Sequence, residues 1–208
     1  MNMKMLFCVL SLIITMPSFS QLKEVKGFAT PKSDDNSIIF IGGKLLGNLD
    51  AKRVYENSNI LTLGFRNTGI DELTLNINKI LPKRAKQVVF FTLVEDLLAS
   101  EHPDSIVSKT TNLMRVIETK MPETNVVLVG LTPVSPVMQR KFQDNNVLLH
   151  INAGLSKANN SKNISFCNAF YELVNEEGEL ETSYTLDGIY LNREGQLALK
   201  SYLEGYLR

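Results

Sequence analysis

The sequence predicts a single α/β domain, one parallel sheet of about five strands with helices on both faces, and three observations point there. Short runs rich in β-branched and aromatic residues alternate along the chain with segments whose apolar residues recur at three- and four-residue steps. The chain has 208 residues, and the part that follows an N-terminal leader falls within the ~100–200 residues usual for one domain. Of the two cysteines, Cys8 lies inside that leader and Cys167 stands alone. No intrachain disulfide can then form, and stability has to come from a packed core.

The first twenty residues carry Lys4, an apolar stretch from Met5 to Leu10 that continues through Leu12, Ile13 and Ile14, and small residues at Ser18 and Ser20. This is the three-part pattern of a secretory signal peptide over residues 1–20, with cleavage expected between Ser20 and Gln21. Its apolar core is shorter than the ~20 residues of a membrane span, and no cysteine follows the expected cleavage point to receive a lipid. The expectation is an exported protein, periplasmic or extracellular, with no stable membrane insertion once the leader is removed. Residues 21–36 are polar, lack periodicity and include Pro31, Lys32, Asp34 and Asp35. They read as a lead-in to a domain spanning residues 37–208.

Five strands are expected at Ser37 to Ile41, Asn59 to Leu63, Gln87 to Thr92, Asn125 to Leu131 and Ile164 to Cys167, each apolar on both faces as in the middle of a parallel sheet. Between them, Ile70, Leu73, Ile77 and Ile80 form one helical stripe, and Ile106, Thr110, Leu113, Ile117 and Met121 form another. Pro103 and Asp104 suit the first turn of the second helix, and Asn192 suits the cap of a last helix from about Arg193 to Tyr206. Lys83, Arg84 and Lys86 read as a solvated corner between helix and strand. In open parallel sheets, ligands bind outside the carboxyl ends of the strands. That directs attention to residues 42–46, 64–68, 93–97 and 132–136, together with the loop 184–190 before the last helix.

Lysine and arginine total 22, as do aspartate and glutamate, for a formal net charge of zero. Without a global field there is no reason to expect nucleic acid or an anionic lipid surface as partner. No cluster of His, Cys or Asp at ligand spacing suggests a metal, and no cofactor motif is present. His150 reads as a helix-flank residue, and His102 follows the loop after the third strand.

Two segments carry a family resemblance. Phe40-Ile41-Gly42-Gly43-Lys44-Leu45 resembles the strand and glycine turn that bear the nucleophile in GDSL-type hydrolases, with lysine where serine would stand. Tyr184-Thr185-Leu186-Asp187-Gly188-Ile189-Tyr190-Leu191-Asn192 resembles that family's last block, with tyrosine for histidine. Pro103 to Val107 and Val126 to Val134 are similar to a helix and the fourth strand of its acetylhydrolase-like branch. The resemblance to the SGNH, or GDSL-like, hydrolases implies a three-layer α/β/α flavodoxin-like fold with strand order 2-1-3-4-5. It also implies an ester-hydrolase ancestry and, as ligand, a carbohydrate or acylated sugar.

Carried over by position, the serine falls on Lys44, the oxyanion glycine on Asn67, the oxyanion asparagine on Glu95 and the histidine on Tyr190; only Asp187 matches. Acyl transfer needs an oxygen nucleophile, a base of near-neutral pKa and donors aimed at the developing oxyanion. A lysine, a tyrosine with a reference pKa of about 10 and a carboxylate do not supply these. The expectation is a pseudoenzyme in which Lys44 and Glu95 form an ion pair. The alternatives are an active acylhydrolase with a rearranged, non-serine site, using Lys44 as an amine nucleophile, His102 as a displaced base or Glu95 and Asp187 as a carboxylate pair.

Overall fold

The computed structural model describes residues 31–47, 49, 51–65, 68–99, 102–140, 144–159 and 161–208. The signal peptide and most of the lead-in expected from the sequence lie outside the described residues, as does Asn67. In chain order the elements are β1 (Ile38–Gly42), α1 (Lys44–Gly47), α2 (Ala51–Val54), β2 (Ile60–Gly64), α3 (Ile70–Ile80), β3 (Gln87–Phe91), α4 (Glu95–Leu98), α5 (Pro103–Lys120), β4 (Asn125–Val129), α6 (Pro136–Gln139), α7 (Asn145–Ala158), β5 (Ile164–Cys167) and α8 (Arg193–Leu203). The strands form one parallel sheet in the order β2-β1-β3-β4-β5. The expected strand order and layering are thus observed.

Alternation along each strand builds two cores. Ile39, Ile41, Val88, Phe90, Val126 and Leu128 face one way, against α3, α5 and α7. Phe40, Val89, Phe91, Val127, Val129 and Cys167 face the other way, against α1, α2 and α8. Both apolar stripes expected from the sequence are buried, including Ile70, Leu73, Ile77 and Ile80 on α3. The reading of all five strands as central is corrected. β2 and β5 are the edges of the sheet, so Thr62 on β2 and Ser165 on β5 are exposed. Burial pushes the Cys167 thiol up to about 12, in keeping with an inert strand residue.

Helix ends follow capping chemistry. Asn192 Oδ1 accepts from the backbone N–H groups of Glu194 and Gly195 at the start of α8, and Asp144 Oδ1 does the same for Asn146 at the start of α7. The N-cap of α3 is Gly69, which has no side chain to cap with, and the partner comes from elsewhere. The buried Asp96 carboxylate accepts from Ile70 N–H at 3.1 and 3.2 Å. This bond ties α3 to α4, the helix that begins with Glu95. The Arg84 corner is held by an exposed ion pair to Asp35 at 2.9 Å. Among the described residues no helix is long and apolar enough to cross a membrane.

Candidate functional site

The carboxyl ends of β1, β3 and β4 open into one crevice, and three segments build it. The first is the turn from β1 into α1, where Gly43 precedes Lys44. The second is the turn after β3 that starts α4 at Glu95. The third is the loop 130–135 after β4. The loop 184–190 closes the crevice from the α8 side, with Ser135 N–H donating to the Gly188 carbonyl at 2.9 Å. Gly43, Thr92, Glu95, Thr132, Ile189 and Tyr190 are among the residues lining a cavity of about 20 Å³, which has room for roughly one water molecule.

Lys44, Glu95 and the Asp187–Tyr190 turn, widely separated in the sequence, meet here. The Lys44 backbone N–H donates to Glu95 Oε1 at 2.5 Å. The Glu95 carboxylate lies so close over Gly43 that a Cβ at that position would be driven into it. Glu95 therefore satisfies a free N–H at the start of α1, where the first backbone N–H groups of a helix have no partner inside it.

The Lys44 amine does not pair with this carboxylate. It lies over the Tyr190 ring, 4.2 Å from the centroid, and among the described residues no ion pair joins Lys44 to Glu95. The expected ion pair is corrected to two separate interactions, a carboxylate on a backbone N–H and a cation on an aromatic face. The fixed N–H takes the short Glu95 side chain, while the long lysine stem leaves the helix start, an unfavourable place for its charge.

Asp187 is occupied as well. Its Oδ1 accepts from the backbone N–H groups of Ile189 at 3.0 Å and Tyr190 at 2.9 Å, forming a local turn. Thr185 Oγ1 accepts from Gly188 N–H and donates to the Tyr190 carbonyl, both at 2.9 Å. The turn thereby fixes the backbone on which Tyr190 is carried. The Thr92 hydroxyl is committed to the Val129 carbonyl at 2.7 Å.

Burial, reinforced by the nearby carboxylates of Glu95 and Asp187, pushes the Tyr190 hydroxyl up from 10.0 to about 12. Below pH 10 the phenol is neutral in both folded and unfolded chains, and its contribution to stability is complete. Between pH 10 and 12 the unfolded chain ionises first, so stability falls, and above 12 the contribution is lost. The melting temperature of Tyr190→Phe is therefore expected to fall less steeply than that of the wild type from pH 10 to 12. Equal slopes in a pH-resolved thermal melt would show that Tyr190 is not shielded.

Two asparagines that the sequence reading missed hold the crevice wall. On α7, Asn152 accepts from Leu131 N–H at 2.8 Å and donates to the Leu131 carbonyl at 2.9 Å. Asn145 accepts from Val134 N–H at 2.9 Å and donates to the Val134 carbonyl at 3.1 Å. Each side-chain amide stands in for a missing neighbouring strand where loop 130–135 leaves the sheet. Seven-residue spacing of asparagines on one helix was the available signal. As the side chains stand, no three His, Cys, Asp or Glu residues among the described ones converge to hold a metal ion.

The sequence matches no protein-family model and no curated protein. Solved structures do match. A structure from Streptococcus pneumonia described as a platelet activating factor superposes with a TM-score of 0.78 at 19% identity, over 84% of this chain and 85% of that one. A GDSL-like lipase from Bacteroides thetaiotaomicron gives a TM-score of 0.66 at 18% identity, over 86% and 90% of the two chains.

The chain has the SGNH, or GDSL-like, hydrolase fold.

The acetyl xylan esterase AlAXEase shares it, with a TM-score of 0.65 at 16% identity over 83% of this chain and all of that one. Within the SGNH fold, the crevice described above occupies the position that the sequence resemblance assigned to the family's site. Four of the five positions carried over from the resemblance, Lys44, Glu95, Asp187 and Tyr190, converge there, while Asn67 lies outside the described residues.

Proposed function

We propose that this chain is an exported SGNH-fold protein that does not turn over esters, and that its crevice serves recognition of a carbohydrate, an acylated sugar or a partner protein. One observation carries the loss of turnover. The Glu95 carboxylate accepts the Lys44 N–H at the start of α1, placing a negative charge where acyl transfer would have to develop one. The other groups support the same reading. The Lys44 amine is spent on the Tyr190 ring, Asp187 Oδ1 is spent on two backbone N–H groups, and a phenol held near 12 is a poor base at neutral pH.

The cavity of about 20 Å³ restricts a ligand larger than water to the rim unless Glu95 or Tyr190 moves. Val137 and Leu186 are exposed apolar side chains. These residues lie on the two segments joined by the hydrogen bond from Ser135 to Gly188.

The test is a fluorophosphonate probe with p-nitrophenyl acetate turnover, applied to the purified chain and to the triple variant Lys44→Ser, Glu95→Asn, Tyr190→His. The wild type is expected to remain unlabelled and to hydrolyse the ester at the buffer rate. Loss of a whole catalytic triad lowers turnover by about 10⁶. A probe adduct on a crevice residue of the wild type, mapped by mass spectrometry, would overturn the proposal in favour of a rearranged hydrolase.

A further inference from the structure

A second cavity, of about 270 Å³, lies between α2 and α8 and shares no lining residue with the crevice. Arg53 and Val54 of α2, Glu56 just beyond it, and Arg193, Gln196, Leu197 and Lys200 of α8 line it. We propose that this cavity binds a small molecule of about monosaccharide size through a phosphate or sulfate group held by Arg53, Arg193 and Lys200.

Residues 193, 196, 197 and 200 recur at three- and four-residue steps, so α8 presents them as one stripe. The buried residues of the same helix, Leu199 and Leu203, join the core that takes Ala51 and Tyr55 from the α2 side. Both walls are thus anchored to one core. The volume falls just under the ~300–1,000 Å³ usual for drug-sized ligands, and this sets the size of the occupant.

Three cations against one carboxylate, Glu56, select an anion, in a chain whose formal net charge is zero. Glu204 stands 3.5 Å from Lys200 and offsets part of its charge, so the arginines carry the selection. A guanidinium has five N–H donors in a planar fork that matches two oxygens of a phosphate or sulfate, and it can keep a protein partner at the same time. Arg193 is the first residue of α8, where the positive end of a helix disfavours a cation. Among the described residues no ion pair offsets it; an anion in the cavity would. Val54 and Leu197 meet the uncharged body of the ligand. Glu56 and Gln196, whose Nε2 already donates to the Leu191 carbonyl at 3.2 Å, supply acceptors for its hydroxyl groups.

Isothermal titration of glucose-6-phosphate and of glucose-6-sulfate into the full, tag-free chain at low salt is expected to show one molecule bound per chain for at least one of them, and the tighter ester names the group. Unesterified glucose should give no heat, and added salt should weaken binding. Arg193→Gln should weaken it at least about tenfold, as for a lost charge-assisted hydrogen bond. That variant removes an exposed cation from a helix start, so it should melt no lower than the wild type. Should it prove destabilised, ligand-dependent shifts of the Arg193, Gln196 and Lys200 backbone amides in the wild-type NMR spectrum test the same point. The proposal is overturned by no heat from either ester, by glucose binding as tightly, by unchanged affinity in Arg193→Gln, or by amide shifts confined to loop 184–190, which would place the ligand in the crevice.

Discussion

Replacing Asn152 with alanine is expected to destabilise the fold by about 3–5 kcal/mol, the largest single effect anticipated in this molecule. Asn152 is 1% exposed, and its amide serves both the N–H and the carbonyl of Leu131. Leu131 lies just beyond β4, where no neighbouring strand continues the ladder. Removing the amide leaves two backbone groups without their partners, at about 1–3 kcal/mol each, before any cavity is counted. Asn152→Asp separates the contributions. It keeps an acceptor for Leu131 N–H but presents lone pairs to the Leu131 carbonyl, and it buries a charge, so it should be at least as damaging. Urea unfolding at 25 °C measures both, and a loss below about 1 kcal/mol for Asn152→Ala would show that loop 130–135 holds itself.

The contrast between Asn152 and the strands shows what a sequence reveals by itself. The strand runs and the stripes on α3 and α5 were legible because the periodicity that marks an element also determines which residues it buries. The strand runs alone did not mark β2 and β5 as edges, since Ile60 to Leu63 reads as apolar on its own; their edge positions were legible only through the order 2-1-3-4-5 that the family resemblance implied. A helical asparagine looks like solvent-facing filler until its partner 21 residues away is known.

At the crevice, the carry-over of positions brought Lys44 and Glu95 together correctly, because the strand ends determine where their backbones lie. It gave the wrong partner for the amine, because a lysine side chain can reach in several directions and sequence does not choose among them.

Gly188→Ala is expected to destabilise the chain by about 2–4 kcal/mol, and Gly178→Ala by about 1 kcal/mol, although both glycines adopt nearly the same backbone conformation. Their φ values are +81° and +78°, a region that alanine enters only with strain. Alanine also stiffens the unfolded chain, which offsets part of that strain at both sites. The two differ in surroundings. A Cβ at Gly178 meets nothing within 4 Å, whereas at Gly188 it would collide with Ser135 Oγ and Met138 Cγ. Subtracting one loss from the other leaves the packing contribution, about 1–3 kcal/mol for an overfilled site.

The same collision should reach the crevice, because Gly188 is bonded to Ser135 and Thr185, and Thr185 holds the Tyr190 carbonyl. Pushing the turn outward draws the Tyr190 ring away from Lys44 and into water. In ultraviolet titration, with Tyr190→Phe as reference, the Tyr190 midpoint should drop from about 12 toward its ordinary value of 10.0 in Gly188→Ala and stay put in Gly178→Ala. Equal stability losses in the two variants, or a midpoint that does not move in Gly188→Ala, would show that the turn adapts without disturbing the site.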